Sequence, residues 1–120
     1  ASFTQAVGHA TNVDPTQATA VAGTSVKAVT ALHRIWANED TAATDTLVEK
    51  TSAITYAVTN DIKKKQVIFE IDPEDLDVAG GFDVLGCTIE DSSQATNFVS
   101  VIYVLATRYA QATVPAAITD

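Results

Sequence analysis

Lys63-Lys64-Lys65-Gln66-Val67-Ile68-Phe69-Glu70-Ile71-Asp72-Pro73 is the stretch whose reading decides the fold. Residues 66–71 are a β-branched and aromatic run, bounded by lysines on one side and Asp72-Pro73 on the other. That is the pattern of a β-strand. The three lysines, with Asp61 close by, read as a solvated loop. Beyond the strand, Asp72-Pro73-Glu74-Asp75-Leu76 reads as a short helix start. Asp72 suits the cap, Pro73 the first helical position, and Glu74 and Asp75 the positive end of the helix dipole. Gly80-Gly81 ends it.

Working outward, residues 82–90 (FDVLGCTIE) predict another strand, with Gly86 at a bulge. Asp91-Ser92-Ser93-Gln94 is a turn. Residues 98–106 (FVSVIYVLA) are the most apolar run and predict a central strand. Upstream, residues 46–58 alternate in their second half, with Ile54, Tyr56 and Val58 on one face. Residues 26–37 (VKAVTALHRIWA) fit either a helical stripe or a strand; their β-branched content favours a strand with Val29, His33 and Ile35 on one face. Turn residues punctuate residues 1–25 at Asp14-Pro15 and Gly23, so this part reads as an extended arm with room for one strand. The expected organisation is an N-terminal arm over 1–25, a β-sandwich over 26–107 and an extended tail over 108–120. The fold class is all-β: an antiparallel sandwich, jelly-roll or immunoglobulin-like, with one short helix and extended termini. No helical pattern recurs between the strands, which argues against a parallel sheet.

Composition narrows the function. The chain has 120 residues, within the roughly 100–200 expected of one domain. Hydrophobic residues make up 47%, which excludes the disordered class, and charged residues only 18%. The surface is therefore largely Thr, Ser, Ala, Asn and Gln, a neutral skin suited to protein contact. The net charge of −8 repels phosphate backbones and anionic membranes, so neither nucleic acid nor membrane is an expected partner. Cys87 is the single cysteine, so there is no intrachain disulfide, and its place in an apolar alternation reads as a small buried hydrophobe. The chain opens on Ala1, as expected after removal of an initiator Met in a cytoplasm or after processing of a precursor.

Catalytic motifs are missing. There is no Walker A loop and no Gly-x-Ser-x-Gly elbow. His9, His33 and Cys87 are scattered, which makes a poor zinc set. The acidic cluster Asp72, Glu74, Asp75 and Asp77 has oxygen ligands fit for calcium, but its spacing misses the EF-hand and helix capping accounts for most of it. No cofactor, no metal and no enzymatic activity are expected.

Four stretches, VIFEIDPEDLD (67–77), GGFDV (80–84), DSSQATNFV (91–99) and RYAQAT (108–113), resemble small virion proteins of tailed bacteriophages. The likeness covers about residues 66–120. It implies a non-enzymatic head component located in the virion: a decoration or cement protein, or a minor capsid component. Such proteins are commonly β-rich and often trimeric, so the implied partners are the major capsid protein and further copies of the chain. No functional residue carries over, because these families share no catalytic motif.

Independently of that likeness, the ends and edge strands are where contact is expected, at Phe3, Val7, Tyr109, Val114 and Ile118. The alternative is that these residues pack on their own domain. A second function class is a receptor- or carbohydrate-binding module of a virion fibre, with Trp36, Tyr56, Tyr103 and Tyr109 as stacking residues. Aromatics clustered on one exposed face would mark that class.

Overall fold

The computed structural model describes residues 1–106. Its strands are β1 (Ser2–Thr4), β2 (Asn12–Ala18), β3 (Lys27–Ala28), β4 (His33–Asn38), β5 (Val48–Ala53), β6 (Tyr56–Ala57), β7 (Lys64–Glu70), β8 (Val84–Ile89) and β9 (Phe98–Ser100). All pairings are antiparallel. One sheet has the order β5-β4-β7-β1-β9. In the other, β8 runs along one side of β2, while β3 and β6 share its opposite side end to end.

The two sheets bury their facing residues against each other. Phe3 of β1, Ile35 and Ala37 of β4 and Val67 of β7 meet Val13 of β2 and Val58, with Tyr56, Phe69, Cys87 and Ile89 packed at the margin. The fold is therefore an all-β antiparallel sandwich. In β4 the period of two places His33, Ile35 and Ala37 inside and Arg34 and Trp36 outside. On the outer surface Arg34 lies 4.7 Å from the Trp36 ring centroid and bridges Glu49 of β5 and Glu70 of β7. These exposed ion pairs contribute little beyond register.

Several expectations are corrected. Residues 1–25 are not an arm, because β1 is paired on both sides, by β7 and β9, and β2 is the centre of its sheet. Asp14-Pro15 is not a turn but lies inside β2. Proline is tolerated there because its missing N–H faces the interval between β3 and β6, while its carbonyl accepts from the Val29 N–H at 3.2 Å. Residues 26–37 are two strands in different sheets, and the buried Val29 sits in the crossing. The run 46–58 likewise divides into β5 and β6. Gly86 is not a bulge: its pairing with Thr16 is in register, and a Cβ there would stand 2.8 Å from the Thr16 Oγ1. The irregularity falls instead between β4 and β5, where the step from His33 to Ile35 faces a longer step from Ala53 to Lys50.

The expected short helix is two 3-10 turns, Pro73–Asp75 and Val78–Gly80. Gly81 closes the second at φ 83°, a left-handed conformation glycine adopts without steric cost. Buried Gln17 anchors this segment, accepting from the Asp77 N–H at 2.8 Å and donating to the Ala28 carbonyl at 3.1 Å. Lys63–Lys65 is not simply a solvated loop. Lys64 and Lys65 open β7, and Lys65, in phase with Val67 and Phe69, points into the sandwich. Finally, among the described residues the apolar run 98–106 is not a central strand: only its first three residues pair, and they lie at the edge.

Phe3 is 4% exposed. Phe3→Ala is expected to cost roughly 3–5 kcal/mol in urea unfolding, the range for emptying a buried phenyl site. A change below about 0.5 kcal/mol, the size of most surface substitutions, would mean that β1 is the loose arm.

His33 is buried and, among the described residues, neither ring nitrogen has a hydrogen-bond partner; its Nδ1 is 3.8 Å from the Asp75 carboxylate. Burial holds the imidazole below its ordinary value of 6.5, and the Asp75 charge offsets part of that shift. The folded state thus binds the proton less readily than the unfolded chain. Its stability is full above about pH 6.5 and falls as the pH drops from there toward the folded value. Urea melts across that window should show this slope in the native chain and a flatter one in His33→Leu. Equal slopes would remove His33 as its source.

Candidate assembly surface

From Phe98 to Ala106 the chain carries no charged residue. Its β-branched and aromatic content is that of a strand with an interior to fill. Among the described residues only Phe98–Ser100 of the run are paired, through Thr4↔Phe98, Phe3↔Val99 and Ser2↔Ser100. Among the described residues no strand lies on the far side of β9. Ile102 is 80% exposed, Val104 91% and Leu105 80%, and Phe98, Val99 and Tyr103 are exposed as well. A contiguous apolar edge of this kind is a template for pairing with another chain. The usual safeguards of an edge strand, lysine, proline or an inward charge, do not occur within it.

The start of β9 is fixed by Asn97. Its Oδ1 accepts from the Ala6 and Val7 N–H groups at 2.9 and 3.0 Å, and its Nδ2 donates to the Val7 carbonyl at 2.9 Å. Half-exposed Val7 is thereby held beside the root of the apolar run. Nothing in the sequence pattern singled out Asn97. Its role comes from a contact between residues 90 and more positions apart, which periodicity cannot register.

The other contact candidates fall differently. Phe3 packs on its own domain, in the core. Tyr109, Val114 and Ile118 lie outside the described residues. A cleft of about 220 Å³ opens between the ends of β8 and β9, lined by Phe3, Ile89, Glu90, Asn97 and Phe98 among others.

The stacking aromatics are dispersed. Trp36 is on the outer face of β4, which β7 and β1 separate from β9. The Tyr56 hydroxyl donates to the Glu39 carboxylate at 2.6 Å, and burial together with that carboxylate pushes its pKa far up. Tyr103 lies just past β9. In the acidic segment, Asp77 takes up Lys27 at 2.6 Å and the Gly80 N–H at 2.9 Å, which hold its carboxyl below the usual range. Lys27 also rests 3.6 Å from the Phe82 ring centroid. Asp75 accepts from the Asp72 N–H at 3.3 Å. Among the described residues no three His, Cys, Asp or Glu side chains converge as a metal site. Burial raises the pKa of half-buried Cys87, which lowers its reactivity as a thiolate.

No family model, no curated protein and no solved structure matches the chain.

Proposed function

We propose that the chain is a non-enzymatic structural protein that works by assembly, a decoration or cement protein of a bacteriophage head. Its partners in this reading are further copies of itself, as a trimer, and the major capsid protein. The observation that carries the reading is the uncharged apolar run Phe98–Ala106, attached to the sandwich at one edge and otherwise exposed. Several large apolar side chains left in water, each with roughly 1.5–3 kcal/mol to gain from full burial, favour a partner surface. The location at an edge supports backbone pairing as the mode of contact. The net charge of −8 works against close approach of copies everywhere except along such a neutral run. The resemblance of residues 66–120 to tailed-phage virion proteins supplies the capsid setting. Among the described residues Trp36, Tyr56 and Tyr103 do not share one exposed face, which favours assembly over the carbohydrate-binding alternative.

Light scattering of the purified chain over a range of concentrations tests this reading. The expected mass is that of an oligomer, a trimer first. The double variant Ile102→Lys with Val104→Lys should shift the mass to one chain while leaving the urea midpoint nearly unchanged, because both side chains are exposed. An oligomer of unaltered mass in that variant would show that the run 98–106 is not the contact.

A further inference from the structure

Lys65 is the most unusual side chain in the sandwich. It is 1% exposed, on the inner face of β7, and sits among core residues. Its Nζ donates to the Gln5 Oε1 at 2.6 Å and to the Thr59 carbonyl. Among the described residues no carboxylate lies within ion-pair distance of it. A buried ammonium with only neutral acceptors is costly. An ammonium has three N–H donors, and among the described residues two acceptors are present. A neutral amine has two N–H donors, which these acceptors use, and keeps its lone pair. Burial acts in the same direction, holding the Lys65 pKa down against the opposing charges of Glu39 and Asp61.

A neutral amine is a nucleophile. An inaccessible one can react only with what it already touches, and Lys65 touches a carboxamide. Gln5 is itself buried, just beyond β1, on the same inner face as Phe3, the cross-strand partner of Lys65. Its Cδ is bonded to Oε1 at about 1.2 Å, so a small rotation of the carboxamide brings Cδ to near-attack distance, about 3–3.5 Å from Nζ. The Gln5 Nε2 donates to the His9 carbonyl at 2.6 Å, which orients the amide.

We propose that Lys65 and Gln5 form an intramolecular isopeptide cross-link between β7 and β1. Rotation about the Cε–Nζ bond releases the N–H bond to Oε1 and turns the lone pair of the neutral amine to Cδ; the new Nζ–Cδ bond gives a tetrahedral adduct with the negative charge on Oε1. One Nζ proton passes to Nε2, the Cδ–Nε2 bond breaks, and ammonia leaves. The product amide retains one N–H, which donates to the Thr59 carbonyl. The exchange is amine plus primary amide to secondary amide plus ammonia; it needs no oxidant and no external reactant. Glu39, held by the Tyr56 hydroxyl and by the Thr59 N–H and hydroxyl, is the carboxylate with the strongest field on the amine. The bond would join residues 60 positions apart and fasten β1, the strand that carries β9, to the rest of its sheet. This inference is independent of the assembly reading.

The test is the intact mass of the purified native chain, measured after full denaturation, followed by a peptide map. The expected mass is lower than that of the sequence by one ammonia, with the peptides containing Gln5 and Lys65 recovered joined and no tryptic cut after Lys65. Lys65→Arg should show the full sequence mass. Native chain held in denaturant from synthesis onward should also show it, because the reaction requires the folded arrangement. The full sequence mass in folded native chain overturns the proposal. So does a loss of ammonia with the two peptides recovered separately, since succinimide formation at an asparagine would give that result.

Discussion

The position of β1 is the constraint on which the rest of the structure depends. Three residues, Ser2–Thr4, lie between β7 and β9 and pair with both. So short a strand has little ladder of its own, and its anchor is the phenyl ring of Phe3 in the core formed with Val13, Ile35 and Val67. Without that anchor β9 would have no neighbour, and the sheet would end at β7. The Asn97 side chain adds a second tie between the two ends of the described chain, gripping Ala6 and Val7. The apolar run after Ser100 is therefore presented from a rooted edge.

Polar groups inside the sandwich follow the same logic of fixing joints. Glu39, just past β4 of the first sheet, is bonded to Tyr56 of β6 in the second and to Thr59, and so links the sheets at one end. Gln17 of β2 holds β3 and the 3-10 segment. Asn38 organises the β4–β5 connection by donating to the Thr44 carbonyl at 2.7 Å and accepting from the Asp40 N–H at 2.9 Å. Buried Gln17 and Asn38 and half-buried Glu39 each find partners, as the cost of leaving such groups unpaired demands. His33 is the exception, with both ring nitrogens unpaired among the described residues. Its edge-to-face contact with Phe69, centroids 6.3 Å apart, uses the ring as an apolar surface.

The legible parts of the sequence were those with a clean period of two. The strand at 66–71 and the inward face of His33 and Ile35 follow directly from alternation, whereas Val29 is buried in the crossing between two strands. The same rule extended one step back, from Phe69 and Val67 to Lys65, would have placed that lysine inside. A run of three lysines looks like a solvated loop because charge is read before phase. The N-terminal strands were obscured by Asp14-Pro15, since a proline inside a strand is acceptable only where its neighbours leave a gap, and that depends on the lengths of β3 and β6. The run 98–106 misled in the opposite way. High hydrophobicity ordinarily means a central strand, but hydrophobicity reports that a surface is to be covered and not which chain covers it. Of the candidate contact surface, composition indicated the neutral skin and the apolar run, while the Asn97 clamp that roots it depends on long-range contact.

The account rests on the run Phe98–Ala106 being a surface that another chain covers. Amide hydrogen exchange of this segment, followed by mass spectrometry at low and high protein concentration, tests that most directly. The account predicts that the amides of residues 101–105 exchange rapidly in dilute solution and become protected as concentration rises, while those of β2 and β4 stay protected throughout. Rapid exchange of residues 101–105 at every concentration, with the chain otherwise intact, would contradict it.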